Sequence, residues 1–199
     1  MPNALLSQRR LLLVAGEDAA SFLQGLVTND VTHLCEGQVQ YAALLSPQGK
    51  FLHDFFIILW QGKYWIDSDA GRIDQLRQRL MLYRLRSKVT IDVAPDTMAV
   101  AAIWNEKRAD APADIWLGDD PRLPLLGQRA LGERAVLTAW LGESQEEAAY
   151  EVWRIAAGVP DGAKDMVADR SLLLEFDFED LHGVDFKKGC YVGQEVTAR

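Results

Sequence analysis

The chain has 199 residues, of which 49% are hydrophobic, and it carries a formal net charge of −8. This length and apolar content exclude global disorder and are sufficient for a substantial hydrophobic core. The acidic balance disfavours nucleic acid as the main partner, because binding phosphates requires a basic face. No stretch has the apolar length needed to span a bilayer, so we expect neither a nucleic-acid nor a membrane partner.

The cysteine content predicts a reducing compartment. Cys35 and Cys190 lie far apart and neither belongs to a CxxC motif, which favours free thiols in a cytoplasmic protein over a disulfide framework. Arginines at positions 9 and 10 interrupt the apolar N-terminal stretch, so we predict a strand there and not a signal peptide. Three histidines without metal-ligand spacing predict no self-sufficient metal site.

Apolar alternation and turn residues predict strands in the first half of the chain at 9–15, 38–45, 51–60, 64–67, 89–93 and 98–104. A short helix is expected at 19–26 with Asp18 as its N-cap. A longer helix is expected at 70–86, because apolar residues recur there at three and four positions.

The second half is less regular. Residues 105–132 are rich in Pro, Asp and Gly, and we expect this span to cross from one lobe to another. A helix is predicted at 145–157, with Ser144 and Glu147 as a capping box and Gly158 as its end. Strands and helices mix without a strict βαβ repeat, which predicts an α+β fold with largely antiparallel sheets.

The most informative segment is KGCYVGQEVTAR at 188–199. It places Cys190 between two glycines, after a lysine pair and before Arg199. Nearby cations lower the pKa of a thiol and raise its nucleophilicity, which favours a functional Cys190 over an ordinary half-buried residue. Both interpretations remain open from the residues alone.

Two acidic positions interrupt apolar stretches. His53 and Asp54 lie within the strand at 51–60 and point to opposite faces. A buried carboxylate there needs donors or a cation; the alternative is an edge strand with both side chains in water. Glu175 follows three leucines, where a carboxylate also needs a partner.

A third group, Asp120 with Arg122 followed by Arg129, is explained most simply as a loop fixed by an arginine–carboxylate pair. No phosphate-binding glycine loop, GxGxxG or GxSxG motif occurs, so nucleotide-dependent and serine-hydrolase functions lack residue support.

Taken together, these segments resemble the folate-binding YgfZ family, relatives of the glycine-cleavage T-protein (an aminomethyltransferase). The similarity is greatest to the branch with the mitochondrial factor that matures [4Fe–4S] proteins. The signature KGCYxGQE followed by an arginine is matched in full at 188–195 and Arg199. Weaker blocks agree in order at 22–30, 41–54, 120–129 and 154–160.

The resemblance implies two intertwined α+β lobes, one of them ferredoxin-like, around a central folate pocket, and a C-terminal β-barrel. The chain stops directly after the signature, so we expect the barrel to be absent. The approximate lobes are 1–48 with 105–132, and 49–104 with 133–199.

The resemblance also implies roles for residues at a tetrahydrofolate site. Asp54 matches the aspartate that contacts folate near its reactive nitrogen, although His53 stands where the T-protein has a second acid. Tyr41 matches an aromatic residue of the pocket, and Glu175 matches a glutamate that holds the pterin ring. Folate-binding roles are likewise expected for three residues of the terminal segment, Lys188, Tyr191 and Arg199.

The resemblance is compatible with three functions. In the first, a tetrahydrofolate-binding accessory factor assembles or repairs iron–sulfur proteins through transient partners, with Cys190 as the acting thiol. The enzyme alternative is a folate-dependent aminomethyl or one-carbon transferase that uses Asp54. The third is a non-catalytic scaffold with a vestigial folate pocket.

Overall fold

The structure is a computed structural model, and it describes residues 1–197. Its strands are β1 (Asn3–Leu5), β2 (Arg9–Ala15), β3 (Val39–Leu45), β4 (Phe51–Trp60), β5 (Lys63–Asp69), β6 (Thr90–Val93), β7 (Met98–Ile103), β8 (Ile115–Asp119) and β9 (Gln128–Glu133). Its helices are α1 (Ala19–Gln24), α2 (Ile73–Arg84), α3 (Arg134–Leu141), α4 (Glu147–Ala156), α5 (Gly162–Asp165) and α6 (Gln194–Thr197). Short 3₁₀ turns lie at Ala70–Arg72, Pro124–Leu126 and Leu173–Phe176.

The strands form two antiparallel sheets. Five strands are ordered β3-β4-β5-β2-β6, and four are ordered β1-β7-β9-β8. The predicted α+β class with antiparallel sheets is confirmed. Within residues 1–197, no helix combines the length and the apolar character that crossing a membrane requires.

The layers follow from strand alternation. Leu12 and Val14 of β2 pack with α1 and α2 on one face of the five-stranded sheet, whereas Leu11 points to the other face. That second face packs against the four-stranded sheet, where Leu131 of β9 belongs to the same buried cluster. Fully burying one such leucine contributes roughly 1.5–3 kcal/mol. The site described below lies between the two sheets and on the strand β4.

The strand pairing cuts across the residue ranges expected for the two lobes. β3, from the first predicted range, pairs along its length with β4 from the second. Similarly, β9 pairs with β7 of the other predicted range. For β3 and β4 the reason is their short connection, because strands that follow each other closely in the chain usually pair.

The predicted capping box of α4 was wrong, because tertiary partners replace local ones. The hydroxyl of Ser144 donates to Asn3 Oδ1 at 2.6 Å, and the Glu147 carboxylate accepts from the Ser7 amide at 2.8 Å, so no capping box forms. Asp18 occupies the N-cap position of α1, but its carboxylate accepts from the backbone amide of Lys88 at 2.7 Å. The span 105–132 contains β8 and most of β9, and α3 follows it.

Candidate functional site

Cys190 lies on a loop that its neighbours fix to the body of the protein. The amide of Val192 donates to the carbonyl of Gly25 at 3.1 Å. The side-chain amide of Gln24 donates to the carbonyl of Lys188 at 3.3 Å. The loop is therefore tied to α1 and its C-terminal turn on both sides of the cysteine.

The lysine before Cys190 stabilises this loop. Lys188 Nζ donates to the carbonyl of Val27 and, at 2.8 Å, to that of Asn29. The same Nζ lies 5.0 Å from the centroid of the Tyr191 ring. Burial lowers the pKa of Lys188 to about 8, although Asp30 favours the charged form, so the ammonium predominates at neutral pH. The charge is directed at backbone carbonyls.

Two glycines allow the path of the loop. Gly189 has φ +92° and Gly193 has φ +84°, both in the region that favours glycine. A Cβ on Gly193 would overlap the carbonyl oxygen of Ser46. Both glycines on either side of Cys190 therefore adopt backbone conformations that a residue with a Cβ resists.

The thiol of Cys190 is exposed, as is that of Cys35, and both are free. Among residues 1–197, no three His, Cys, Asp or Glu side chains are placed to hold one metal ion. An iron bound at Cys190 would therefore need ligands beyond those that residues 1–197 place around it, since clusters are held by several protein ligands.

Tyr41 and Asp54 form a buried pair between the sheets. The Tyr41 hydroxyl donates to Asp54 Oδ2 at 2.8 Å, and the two residues are 0% and 7% exposed. Burial raises the pKa of Asp54, and the charge of Arg9 opposes this only in part. The expectation that Tyr41 and Asp54 belong to one site is consistent with this contact.

The neighbouring His53 lies on the opposite face of β4 and is also buried, with 6% exposure. β4 is an interior strand, between β3 and β5. The alternative of an edge strand with both side chains in water is therefore wrong. Burial, followed by the charges of Arg72 and Arg79, lowers the pKa of His53 to about 3.

A buried ionic network joins the two sheets next to Asp54. The Asp67 carboxylate accepts from Arg9 Nε at 2.7 Å and from Arg129 Nη2. Arg129 Nη1 lies 3.6 Å from Asp120 Oδ2, and Asp120 binds Arg122 through both oxygens at 3.0 and 2.8 Å. The predicted loop fixed by an arginine–carboxylate pair is confirmed.

Opposing effects act on the pKa values in this network. Burial alone would raise the pKa of Asp67, but the charges of Arg9 and Arg129 outweigh it and the pKa is lowered. Burial likewise acts on Asp120, and Arg122 reverses its effect, so that pKa is lowered too. Both carboxylates are therefore ionised and paired at neutral pH.

Phe56 lies at the centre of the three guanidinium groups. The Cζ atoms of Arg129, Arg122 and Arg9 lie 3.9, 4.7 and 5.6 Å from the centroid of its ring. Cations over an aromatic face are stabilised by the ring quadrupole, by more when desolvated. The aromatic ring thus helps to hold several positive charges close together.

The cavity beside Asp54 is small. It has a volume of about 30 Å³, and its lining includes Arg9, Arg122, Asp161 and Lys164. That is room for roughly one water molecule. A Cβ on Gly162 would overlap Asp54 Oδ1, so the short helix α5 closes the cavity from one side.

Two further predicted site residues are Glu175 and Arg199. Glu175 is exposed on the 3₁₀ turn Leu173–Phe176 and is not among the residues that line the cavity beside Asp54. Arg199 lies outside the described residues. The structure therefore brings together Tyr41 with Asp54 and Lys188 with Tyr191, in two separate contacts.

The sequence interpretation missed Arg9, Phe56 and Asp67 as parts of the central site. The available signal was a charge within an apolar strand: Arg9 begins β2 and Asp67 lies inside β5. A charge at such a position needs a buried partner. The sequence does not identify that partner.

Residues 6–107, half of the chain, match the model of the GCVT N-terminal domain family. The chain belongs to this family. The matched part contains β2 to β7, including Tyr41, Asp54 and Asp67.

Within the GCVT-domain family, the chain is similar to proteins named iron-sulfur cluster assembly factor IBA57, mitochondrial, or its homologues. It is 36% identical to the homologue of Mycosarcoma maydis, over 98% of this chain and 53% of that protein. It is 33% identical to the Homo sapiens protein, over 98% of this chain and 61% of that protein. The chain thus spans between half and two thirds of the length of these relatives.

Among solved structures, the chain resembles the glycine cleavage system aminomethyltransferase T from Bartonella henselae. The TM-score is 0.63 at 19% identity, covering 80% of this chain and 51% of that one. At this identity the likeness shows the fold, which is the T-protein-like fold predicted above.

The comparisons correct the expected location. The curated relatives of Neurospora crassa, Pyricularia oryzae, Homo sapiens and Mus musculus are all named as mitochondrial. This finding overturns the prediction of a cytoplasmic protein, which was based on the two free cysteines. Free thiols report on redox conditions and do not by themselves identify a compartment.

Proposed function

We propose that this chain acts in the assembly or repair of iron–sulfur proteins and that Cys190 is the group that acts. The relatives named above as iron-sulfur cluster assembly factors support the process. The observation that supports the residue is an exposed thiol on a loop whose flanks are tied to α1 and to the Lys188 ammonium. Within the family, the KGCYxGQE signature favours the YgfZ branch.

The proposed role of Cys190 is transient. A single thiolate can ligate iron, but a stable cluster takes several protein ligands, and residues 1–197 do not group them. A partner protein that carries the cluster would therefore supply the other ligands. A fixed loop lowers the entropy lost when that partner binds.

A test of this role replaces each thiol in turn. Cys190→Ser is expected to lose the support of iron–sulfur enzyme activity in cells that depend on this protein. Cys35→Ser is the matched control, because Cys35 is also free and exposed, and it should retain full support. If Cys190→Ser accumulates and supports those enzymes fully, the thiol-centred proposal is wrong.

Tetrahydrofolate binding is the second part of the proposal. It is supported by the T-protein-like fold and by the Tyr41–Asp54 pair. The residues as placed do not fit the ligand: the cavity beside Asp54 has about 30 Å³, whereas small-molecule sites have about 300–1,000 Å³. Binding at Asp54 therefore requires this cavity to widen.

Titration calorimetry with tetrahydrofolate tests this part separately. Saturable binding that Asp54→Asn weakens would support a folate site at Asp54. Absence of saturable binding would refute it and favour the scaffold with a vestigial pocket, while the Cys190 experiment would stand unaffected. One-carbon transfer to tetrahydrofolate that Asp54→Asn abolishes would instead favour the transferase.

A further inference from the structure

A second, larger cleft lies on the face of β4 opposite to Asp54. It is bounded by β4, by helix α2 and by residues 168–169, and its volume is about 740 Å³. This lies within the size range of small-molecule sites, about 300–1,000 Å³. Its nitrogen-bearing lining side chains are those of His53, Arg72, Gln75, Arg77, Gln78 and Arg79.

His53 is the buried member of this cleft. Its residue is 6% exposed, yet its side chain has no hydrogen-bond partner among residues 1–197, and it contributes to the cleft wall. The ring nitrogens of His53 are not among the fully buried polar atoms that lack a partner, so they remain accessible from the cleft. A ligand in the cleft would give them a hydrogen-bond partner.

A β-bulge between β3 and β4 shapes the cleft wall next to His53. The register between β3 and β4 shifts at Leu44/Leu45, which leaves Leu52 without a paired residue. Arg72 Nη2 donates to the carbonyl of Leu52, and the amide of Asp169 donates to the carbonyl of Phe51 at 2.9 Å. Bulges of this kind often re-aim side chains beside functional sites.

The charge of the cleft contrasts with that of the whole protein. Residues 72–84, which comprise α2 and the arginine before it, contain four arginines and one aspartate, in a chain with a net charge of −8. The cleft lining contains a single carboxylate, that of Asp169. This helix therefore presents positive charge that its own surroundings do not neutralise.

We propose that this cleft binds a small organic oxyanion, a phosphate ester or a carboxylate joined to an apolar group. Arg72 and Arg79 supply guanidinium groups, whose planar donors match the geometry of both oxyanions. His53 is neutral, and its ring supplies one donor and one acceptor. Met81 and Leu82 line the same cleft and contact the apolar part.

The test uses phenyl phosphate, benzoate and inorganic phosphate as probes, each titrated by calorimetry at one ionic strength. Phenyl phosphate or benzoate should bind saturably, and whichever binds identifies the oxyanion. Inorganic phosphate should bind more weakly, because it lacks the apolar contact. The ring signals of His53, one of three histidines, should shift in NMR and be assigned through His53→Gln.

Matched arginine variants distinguish binding in the cleft from general electrostatic attraction to the helix. Arg79→Gln should weaken binding about tenfold or more, since a hydrogen bond to a charged group contributes about 1.5–3 kcal/mol. Arg84→Gln removes the same charge from the same helix outside the cleft lining and should change binding less than about twofold. Equal weakening by both variants, or no saturable binding of any probe, would overturn the proposal.

Discussion

The hydroxyl of Tyr41 donates a 2.8 Å hydrogen bond to Oδ2 of Asp54 across the β3–β4 ladder, and both side chains are buried. Residues 41 and 54 are not direct partners in this ladder; Tyr41 pairs with Phe56 and Asp54 with Ala43. The contact is therefore diagonal, between side chains on one face of the sheet. It places a carboxyl group with a raised pKa beside the charged network of Arg9 and Asp67.

The raised pKa of Asp54 predicts a pH-dependent effect of Asp54→Asn. Burial raises the folded-state pKa above the ordinary 3.8, so the folded state holds this proton longer than the unfolded state. The contribution of Asp54 to stability is thus largest below pH 3.8 and falls as the pH rises through the folded-state value. In urea unfolding, the free energy of unfolding of Asp54→Asn should rise relative to that of the wild type as the pH increases above about 4. A difference that stays constant with pH would contradict the assignment.

Gly162→Ala tests how closely α5 covers Asp54. The added Cβ would overlap Asp54 Oδ1 and would lie 2.8 Å from Cζ of the Phe51 ring. Overpacking of this kind costs about 1–3 kcal/mol of unfolding free energy. Gly25→Ala is the control, because a Cβ there meets nothing closer than 3.9 Å. Thermal unfolding should show a clear loss of stability for Gly162→Ala only. If the two variants are equally stable, α5 moves to accommodate the added Cβ without a measurable cost.

Arg129→Met tests the link between the sheets. The change removes one cationic partner from Asp67 and one from Asp120, and breaking a buried ionic pair costs about 3–5 kcal/mol. Arg9 and Arg122 remain as partners, so we expect Arg129→Met to lower the free energy of unfolding by about 3 kcal/mol. Urea unfolding measures this loss. Lys107→Met breaks an exposed pair with Asp119 and should cost no more than about 1 kcal/mol. Similar losses for the two variants would mean that the buried network contributes little.

The sequence predicted those parts of the fold and site whose determinants are close in the chain. The strands predicted at 51–60 and 64–67 correspond to β4 and β5, on the two sides of the turn residues Gln61 and Gly62. The Asp120–Arg122 pair spans two positions, so loop chemistry alone indicates it. The Cys190 loop was likewise predictable from its glycines.

The parts that were missed depend on distant partners. Asp67 binds Arg9 from 58 positions away and Arg129 from 62 positions away, and sequence patterning contains no information on which charges meet. The Ser144 hydroxyl donates a hydrogen bond to Asn3, 141 positions away. It is therefore not available for the predicted capping box. β8 was missed because its five residues are flanked by turn residues that dominate the local pattern.

The lowered pKa of Asp120 predicts the opposite pH dependence from that of Asp54. Burial opposes ionisation, but Arg122 outweighs it and holds the folded-state pKa below 3.8. The resulting stability is present above pH 3.8 and is lost as the pH falls through the folded-state value. Asp120→Asn should therefore be clearly less stable than the wild type at pH 6, and the gap should close on acidification. A gap that persists at pH 2 in circular-dichroism unfolding would argue that lost hydrogen-bond geometry, and not charge, is responsible.

Lys188→Met should loosen the loop that carries Cys190. The ammonium donates to two backbone carbonyls, those of Val27 and Asn29, and hydrogen bonds to a charged group contribute about 1.5–3 kcal/mol. Opening of the loop should therefore increase by about tenfold or more. The readout is hydrogen exchange of the Val192 amide, which the Gly25 carbonyl protects in the closed loop. Lys187→Met removes the same charge from the preceding, exposed position, and its Val192 exchange should match the wild type. If both variants exchange at the wild-type rate, the lysine does not hold the loop, and the glycines and the Gly25 contact suffice to position Cys190.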